Sequence, residues 1–143
     1  MQSMDALLDR LASPPRQALL AQFLRFGVVG GLGFIVDTAT VYATKAWLGL
    51  YGAGVLAFLV AASANWALNR AWTFRGLGGG PRHRQWARFL AANAVGFVLN
   101  RGCYAILVTV SPLCADNPVL AVAAGAIAGL FSNFTLSRRL VFR

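Results

Sequence analysis

Asn65-Trp66-Ala67-Leu68-Asn69-Arg70-Ala71-Trp72-Thr73-Phe74-Arg75 is answered at the end of the chain by Asn133-Phe134-Thr135-Leu136-Ser137-Arg138-Arg139-Leu140-Val141-Phe142-Arg143. The two stretches keep Asn, Leu, Arg, Phe and Arg at identical spacing. Each closes a segment that opens on Arg-Phe. Arg25-Phe26 runs through Gly33 and Phe34 to Asp37, and sixty-three positions later Arg88-Phe89 runs through Gly96 and Phe97 to Asn100. Self-similarity of this kind predicts one unit written twice.

The composition fixes the solvent of that unit. Hydrophobic residues make up 58% of the chain and charged residues 12%, with a mean hydropathy of +0.62. A soluble domain carries roughly 25% charged residues, so the expected surroundings are lipid. Apolar stretches fall at about 26–44, 53–69, 89–110 and 118–136, each near the roughly 20 residues that cross a hydrocarbon core of about 30 Å. The predicted fold is therefore all-α and polytopic, with four transmembrane helices in two two-helix repeats. A two-span unit returns the chain to its starting side, so the repeats should point the same way, unlike inverted repeats. Small residues at four-residue spacing, such as Gly27 and Gly31 or Gly125 and Gly129, suit close helix approach.

Charge orients the bundle. Arg10, Arg16 and Arg25 precede the first span, Arg70, Arg75, Arg82, Arg84 and Arg88 lie between the second and third, and Arg138, Arg139 and Arg143 follow the fourth. The opposite side offers Lys45 and Asp116. The positive-inside rule places both termini and the central loop in the cytoplasm. The net charge of +9 then reads as topology and contact with anionic lipid, not as nucleic-acid binding.

The expected organisation is an amphipathic cytoplasmic helix over 1–21, with Met4, Leu7, Leu8 and Leu11 on one face, then a transmembrane domain over 22–143. Within that domain repeat 1 spans 22–75, a Gly-rich linker 76–85, and repeat 2 86–143. The linker is the stretch where a split should be tolerated best.

Chemistry is not expected of this chain. It has no glutamate, and of its four aspartates only Asp37 lies in a span, so no carboxylate pair can be assembled. Cys103, Cys114 and His83 are scattered, and neither a metal nor a cofactor site is predicted.

What remains is polar side chains placed inside a membrane, at two levels. Asp37, Asn100 and Arg101 lie twelve or thirteen residues beyond their Arg-Phe starts, roughly 18 to 20 Å deep. An Asp37–Arg101 pair would lower the insertion cost of each; the functional reading is a polar step for a translocating headgroup. At the cytoplasmic ends, Asn65 and Asn69 share a helix face, as do Asn133 and Ser137. Amides there can hold hydroxyls, Arg70, Arg138 and Arg139 can hold a phosphate, and Trp72 can cover a sugar face or belong to an aromatic belt.

Arg-Phe, a glycine-bearing apolar span, a mid-span polar residue and then Asn-Trp-x-Leu-Asn-Arg-x-Trp-Thr-Phe resemble the GtrA-like family of small four-span membrane proteins. The resemblance covers residues 22–143, and the second copy departs from it with Ser137 for Asn and Leu140 for Trp. It implies translocation of a polyprenyl-phosphate-linked sugar for cell-surface polysaccharide synthesis, sometimes beside a polyprenyl-phosphate glycosyltransferase. A second expectation is a non-catalytic subunit that anchors such an enzyme, and a third a small cation-drug antiporter with Asp37 as its acid. Four spans are few to enclose a headgroup path, which favours a homo-oligomer.

Overall fold

The structure is a computed structural model and describes residues 14–143. Every regular element among them is helical: α1 (Pro14–Leu68), α2 (Arg82–Val110), α3 (Pro112–Asp116) and α4 (Pro118–Leu136), with π-helical turns at Asn69–Thr73 and Ser137–Val141. Three helical stretches, Pro15–Thr73, Arg82–Val110 and Val119–Val141, are long and apolar enough to cross a membrane. The apolar face of Met4, Leu7, Leu8 and Leu11 lies outside the described residues. Residues 14–21, read from the sequence as the end of a separate helix, form the first turns of α1.

Drawn straight, the 55 residues of α1 would reach roughly 80 Å. The helix is instead broken at Gly49, whose φ of 70° and ψ of 173° belong to a region that only glycine enters without strain. The chain reverses there, so residues 14–48 and 50–68 lie side by side. Gly33 and Asn65, each sixteen residues from Gly49, touch, and the rings of Phe26 and Phe74 meet at 6.2 Å. The sequence suggests a longer connection between 44 and 53; one left-handed glycine suffices.

In the second half, α2 and α4 pack tightly along their length. A Cβ on Gly125 would stand 2.6 Å from the Asn100 carbonyl oxygen, and one on Gly129 would stand 3.2 Å from the Asn100 Cβ. The turn between them is built by Ser111, whose hydroxyl accepts the Cys114 N–H at 3.3 Å, and by prolines at the starts of α3 and α4. Cys103 and Cys114 are free thiols. The linker expected over 76–85 ends earlier, because extended Pro81 opens α2 at Arg82. Gln85 is thereby helical and buried.

The buried aromatic cluster gathers at one end of the bundle around Phe26, Phe74, Phe89, Phe134 and Phe142, while small residues, Ala53, Ala57 and Ala121, are buried toward the other. Phe74 and Phe142 stack on each other at 4.7 Å and 13°. The same contacts recur in both halves: Phe26 meets Phe74 at 6.2 Å and 65°, and Phe89 meets Phe142 at 6.1 Å and 66°. Each π turn closes identically too, with the Phe74 N–H on the Asn69 carbonyl at 2.8 Å and the Phe142 N–H on that of Ser137 at 2.9 Å. Away from this end large apolar side chains point outward, Tyr51 at 94% exposure and Trp47 at 85% among them. Such a surface suits hydrocarbon and would be an association surface in water.

Candidate functional site

Four asparagines converge between the halves. Asn65 and Asn69 from α1 and its π turn, Asn93 from α2 and Asn133 from α4 line a cavity of about 70 Å³, closed by Phe26, Gly30, Phe89 and Leu130. Thr73 Oγ1, Gln85 Nε2 and Ser137 Oγ, on residues outside the cavity lining, are buried without a hydrogen-bond partner among the described residues, as are the Oδ1 atoms of the lining residues Asn65, Asn69 and Asn133. Asn93 is anchored, its Nδ2 donating to the Phe89 carbonyl at 2.9 Å. A buried polar atom left unpaired costs about 1–3 kcal/mol, so these oxygens form an acceptor set suited to hydroxyl or water donors. Two glycines make the room. The Cβ that Gly33 lacks would collide with the Asn65 amide, and that of Gly96 with the Asn133 amide.

Below the cavity a second polar layer couples the halves reciprocally. Arg70 donates through Nη1 to Oε1 of Gln85, and the Trp66 indole N–H donates to the same oxygen at 3.1 Å. In the opposite sense, Nε of Arg138 donates to Oε1 of Gln22 at 3.3 Å. The linker closes over Gln85 at Gly78, where φ is 83° and an added Cβ would meet Gln85 Nε2 at 2.5 Å and Phe142 Cα at 3.3 Å.

Arg138 and Arg139 also edge a groove of about 500 Å³ between the start of α1 and the end of α4, with Arg16, Leu19, Leu20, Phe23, Phe131, Phe134 and Thr135. Phe23 stacks on Phe131 at 5.1 Å and meets Phe134 edge-on at 5.2 Å. Arg70 is not part of this groove; Gln85 holds it on the other side. Trp72 lies outside the asparagine cavity, half-exposed, with the Arg25 guanidinium 5.9 Å above its ring.

Asp37, Asn100 and Arg101 do not assemble into one site. Asp37 borders a wide groove of about 750 Å³ with Tyr51, Phe58 and Phe97, Asn100 faces the glycines of α4, and exposed Arg101 lies over the Phe97 ring at 5.5 Å. The expected Asp37–Arg101 ion pair is absent among the described residues. The reason is angular: adjacent helical residues point about 100° apart, so with Asn100 directed at α4, Arg101 is carried round to the outside.

Sequence reasoning missed Asn93, Gln22, Gln85 and Arg16. The glutamines carried a signal, since extending the Arg-Phe match upstream aligns Gln22-Phe23-Leu24-Arg25-Phe26 with Gln85-Trp86-Ala87-Arg88-Phe89. Asn93 was an uncharged amide within an apolar run, legible by the reasoning applied to Asn65.

An all-helical protein with apolar outer faces, a basic end and a polar interior is a multi-pass membrane protein. The sequence model described as the GtrA/DPMS transmembrane domain matches residues 25–142, and the chain belongs to that family. A search of curated proteins found no significant match. The family points to a role in the translocation or synthesis of glycosyl-lipids.

Proposed function

We propose that this protein flips a polyprenyl-phosphate-linked sugar across the cytoplasmic membrane, and that it works without covalent chemistry. In this reading the chain crosses four times, as two parallel two-helix repeats, with both termini and the Gly76–Pro81 loop in the cytoplasm. The observation that carries the proposal is the asparagine cavity, whose unpartnered Oδ1 atoms open a set of sugar-hydroxyl acceptors at the same end as the arginines. Asn65, Asn69 and Asn133 then hold the sugar, Arg138 and Arg139 meet the phosphate while Arg70 stays bonded to Gln85, and Asp37 offers a polar contact farther along.

A second reading, a membrane subunit that anchors a polyprenyl-phosphate glycosyltransferase, is favoured by the size of the cavity. About 70 Å³ admits a few waters and not a sugar ring, so translocation requires the halves to part. Reconstituting the protein in liposomes and timing the exposure of a short-chain polyprenyl-phosphate sugar on the opposite face separates the two. Protein-dependent flipping that Asn65→Ala with Asn133→Ala slows at least about tenfold supports the flippase and its sugar site; undiminished flipping by that variant sinks the asparagine site, and absence of protein-dependent flipping sinks the flippase. Absence of flipping, with co-purification of a glycosyltransferase whose level falls on deletion, establishes the subunit.

A further inference from the structure

The two halves repeat their core but not their seams. The seam between α1 and α4 brings Phe23 against Phe131; at the corresponding seam of α2 with the second arm of α1, sixty-three and sixty-eight residues away in sequence, stand Trp86 and Ser63. There the Trp86 indole donates to Ser63 Oγ at 2.9 Å, and Trp66 and Arg70 are both bonded to Gln85. Gln85 Oε1 thus serves two donors of that seam, while Gln85 Nε2 stays buried without a partner among the described residues. At the first seam Arg138 is held, among the described residues, by Nε alone, which leaves both terminal nitrogens of its guanidinium as donors.

Charge and polarity divide the seams further. The groove at the first seam joins three arginines to an apolar wall, Leu19, Leu20 and Phe23, and among the described residues contains no acid. Arg16, Leu19, Leu20 and Phe23 follow i, i+3, i+4, i+7 spacing, one face of a helix. The matching positions of the second half are Gly79, Arg82, His83 and Trp86, and Ala71 stands where Arg139 does. That half has lost the apolar wall and one arginine of the pair.

Resting on the flippase reading for its substrate class, we propose that the chain holds one lipid phosphate, at the α1–α4 seam only. Arg16, Arg138 and Arg139 take the phosphate of a prenyl chain that lies along Leu19, Leu20 and Phe23. Arginines present planar paired donors that match phosphate oxygens, and the groove of about 500 Å³ opens toward lipid where the chain continues. The duplication thereby yields a single loading site, not two.

The test is equilibrium binding of farnesyl phosphate to the full chain in phosphatidylcholine nanodiscs, read above empty nanodiscs, with farnesol, inorganic phosphate and phosphatidylglycerol as competitors. One ligand per chain is expected, displaced by none of the three at equal concentration. Arg138→Ala with Arg139→Ala should weaken binding at least about tenfold. Thr135→Trp, which fills the groove with every arginine kept, should do the same, while Ala67→Trp at the matching position of the other seam stays within about twofold. Unchanged binding in the folded double-arginine variant, equal losses from the two tryptophan substitutions, or displacement by phosphatidylglycerol or inorganic phosphate each overturns the assignment. Flipping that survives Arg138→Ala with Arg139→Ala overturns the seam site and spares the flippase; the expected binding pattern without flipping does the reverse.

Discussion

Gly96 and Asn133 show how a residue pair sets the polar interior. The amide occupies the space a Cβ would take, so Gly96→Ala should destabilise the protein by about 1–3 kcal/mol through overpacking, read as a lower thermal midpoint in detergent. Adding Asn133→Ala should recover part of that loss, because residues in contact do not add; strictly additive losses would show that the collision is relieved elsewhere. The glutamines offer a comparison within one molecule. Gln85 is 2% exposed and serves both Arg70 and Trp66, whereas Gln22 is half-buried and serves Arg138 at 3.3 Å. Gln85→Ala should therefore cost about 1–3 kcal/mol by stranding a desolvated indole N–H, and Gln22→Ala less than about 1 kcal/mol. Equal shifts in melting would mean the two contacts are energetically alike.

At the scale of elements, the reversal inside α1 hangs on one backbone conformation. Gly49 at φ 70° and ψ 173° is outside the range of residues with a Cβ, so Gly49→Val should cost about 1–3 kcal/mol or straighten the hairpin. A disulfide engineered across neighbouring positions of the two arms would form readily in the parent protein and poorly in the variant; equal formation would argue that the reversal does not need glycine. The π turns are a second element-scale feature. Each one widens the helix by a residue, the wider turn rotates the chain beyond it, and Phe74 and Phe142 are thereby delivered to the same central stack. The linker is less free than its composition suggests, since Gly78 is packed against Gln85 and Phe142 while Gly79 meets nothing. A split of the chain belongs after Gly79.

For the whole molecule, the charge map predicts a sidedness that can be measured directly. In a chain with its native thiols removed, Gly79→Cys should react with an impermeant maleimide only in inside-out vesicles and Asp116→Cys only in right-side-out cells; the reverse pattern would invert the topology. Much of the architecture was legible before any coordinate. Apolar runs of spanning length determined a helical membrane protein, because a lipid core leaves the backbone no other way to pair its polar groups. The match of Asn65–Arg75 with Asn133–Arg143 located the asparagines, since an amide within an apolar run must find a partner. Tertiary structure alone decided which polar residues meet. It carried Arg101 away from Asp37, tied Arg70 to Gln85, brought Asn93 to the cavity and left one seam open beside Arg138 and Arg139. Depth comes from counting residues along a helix, whereas facing depends on the rotation of each helix about its axis, and that rotation is set by glycines, rings and π turns acting between segments far apart in sequence.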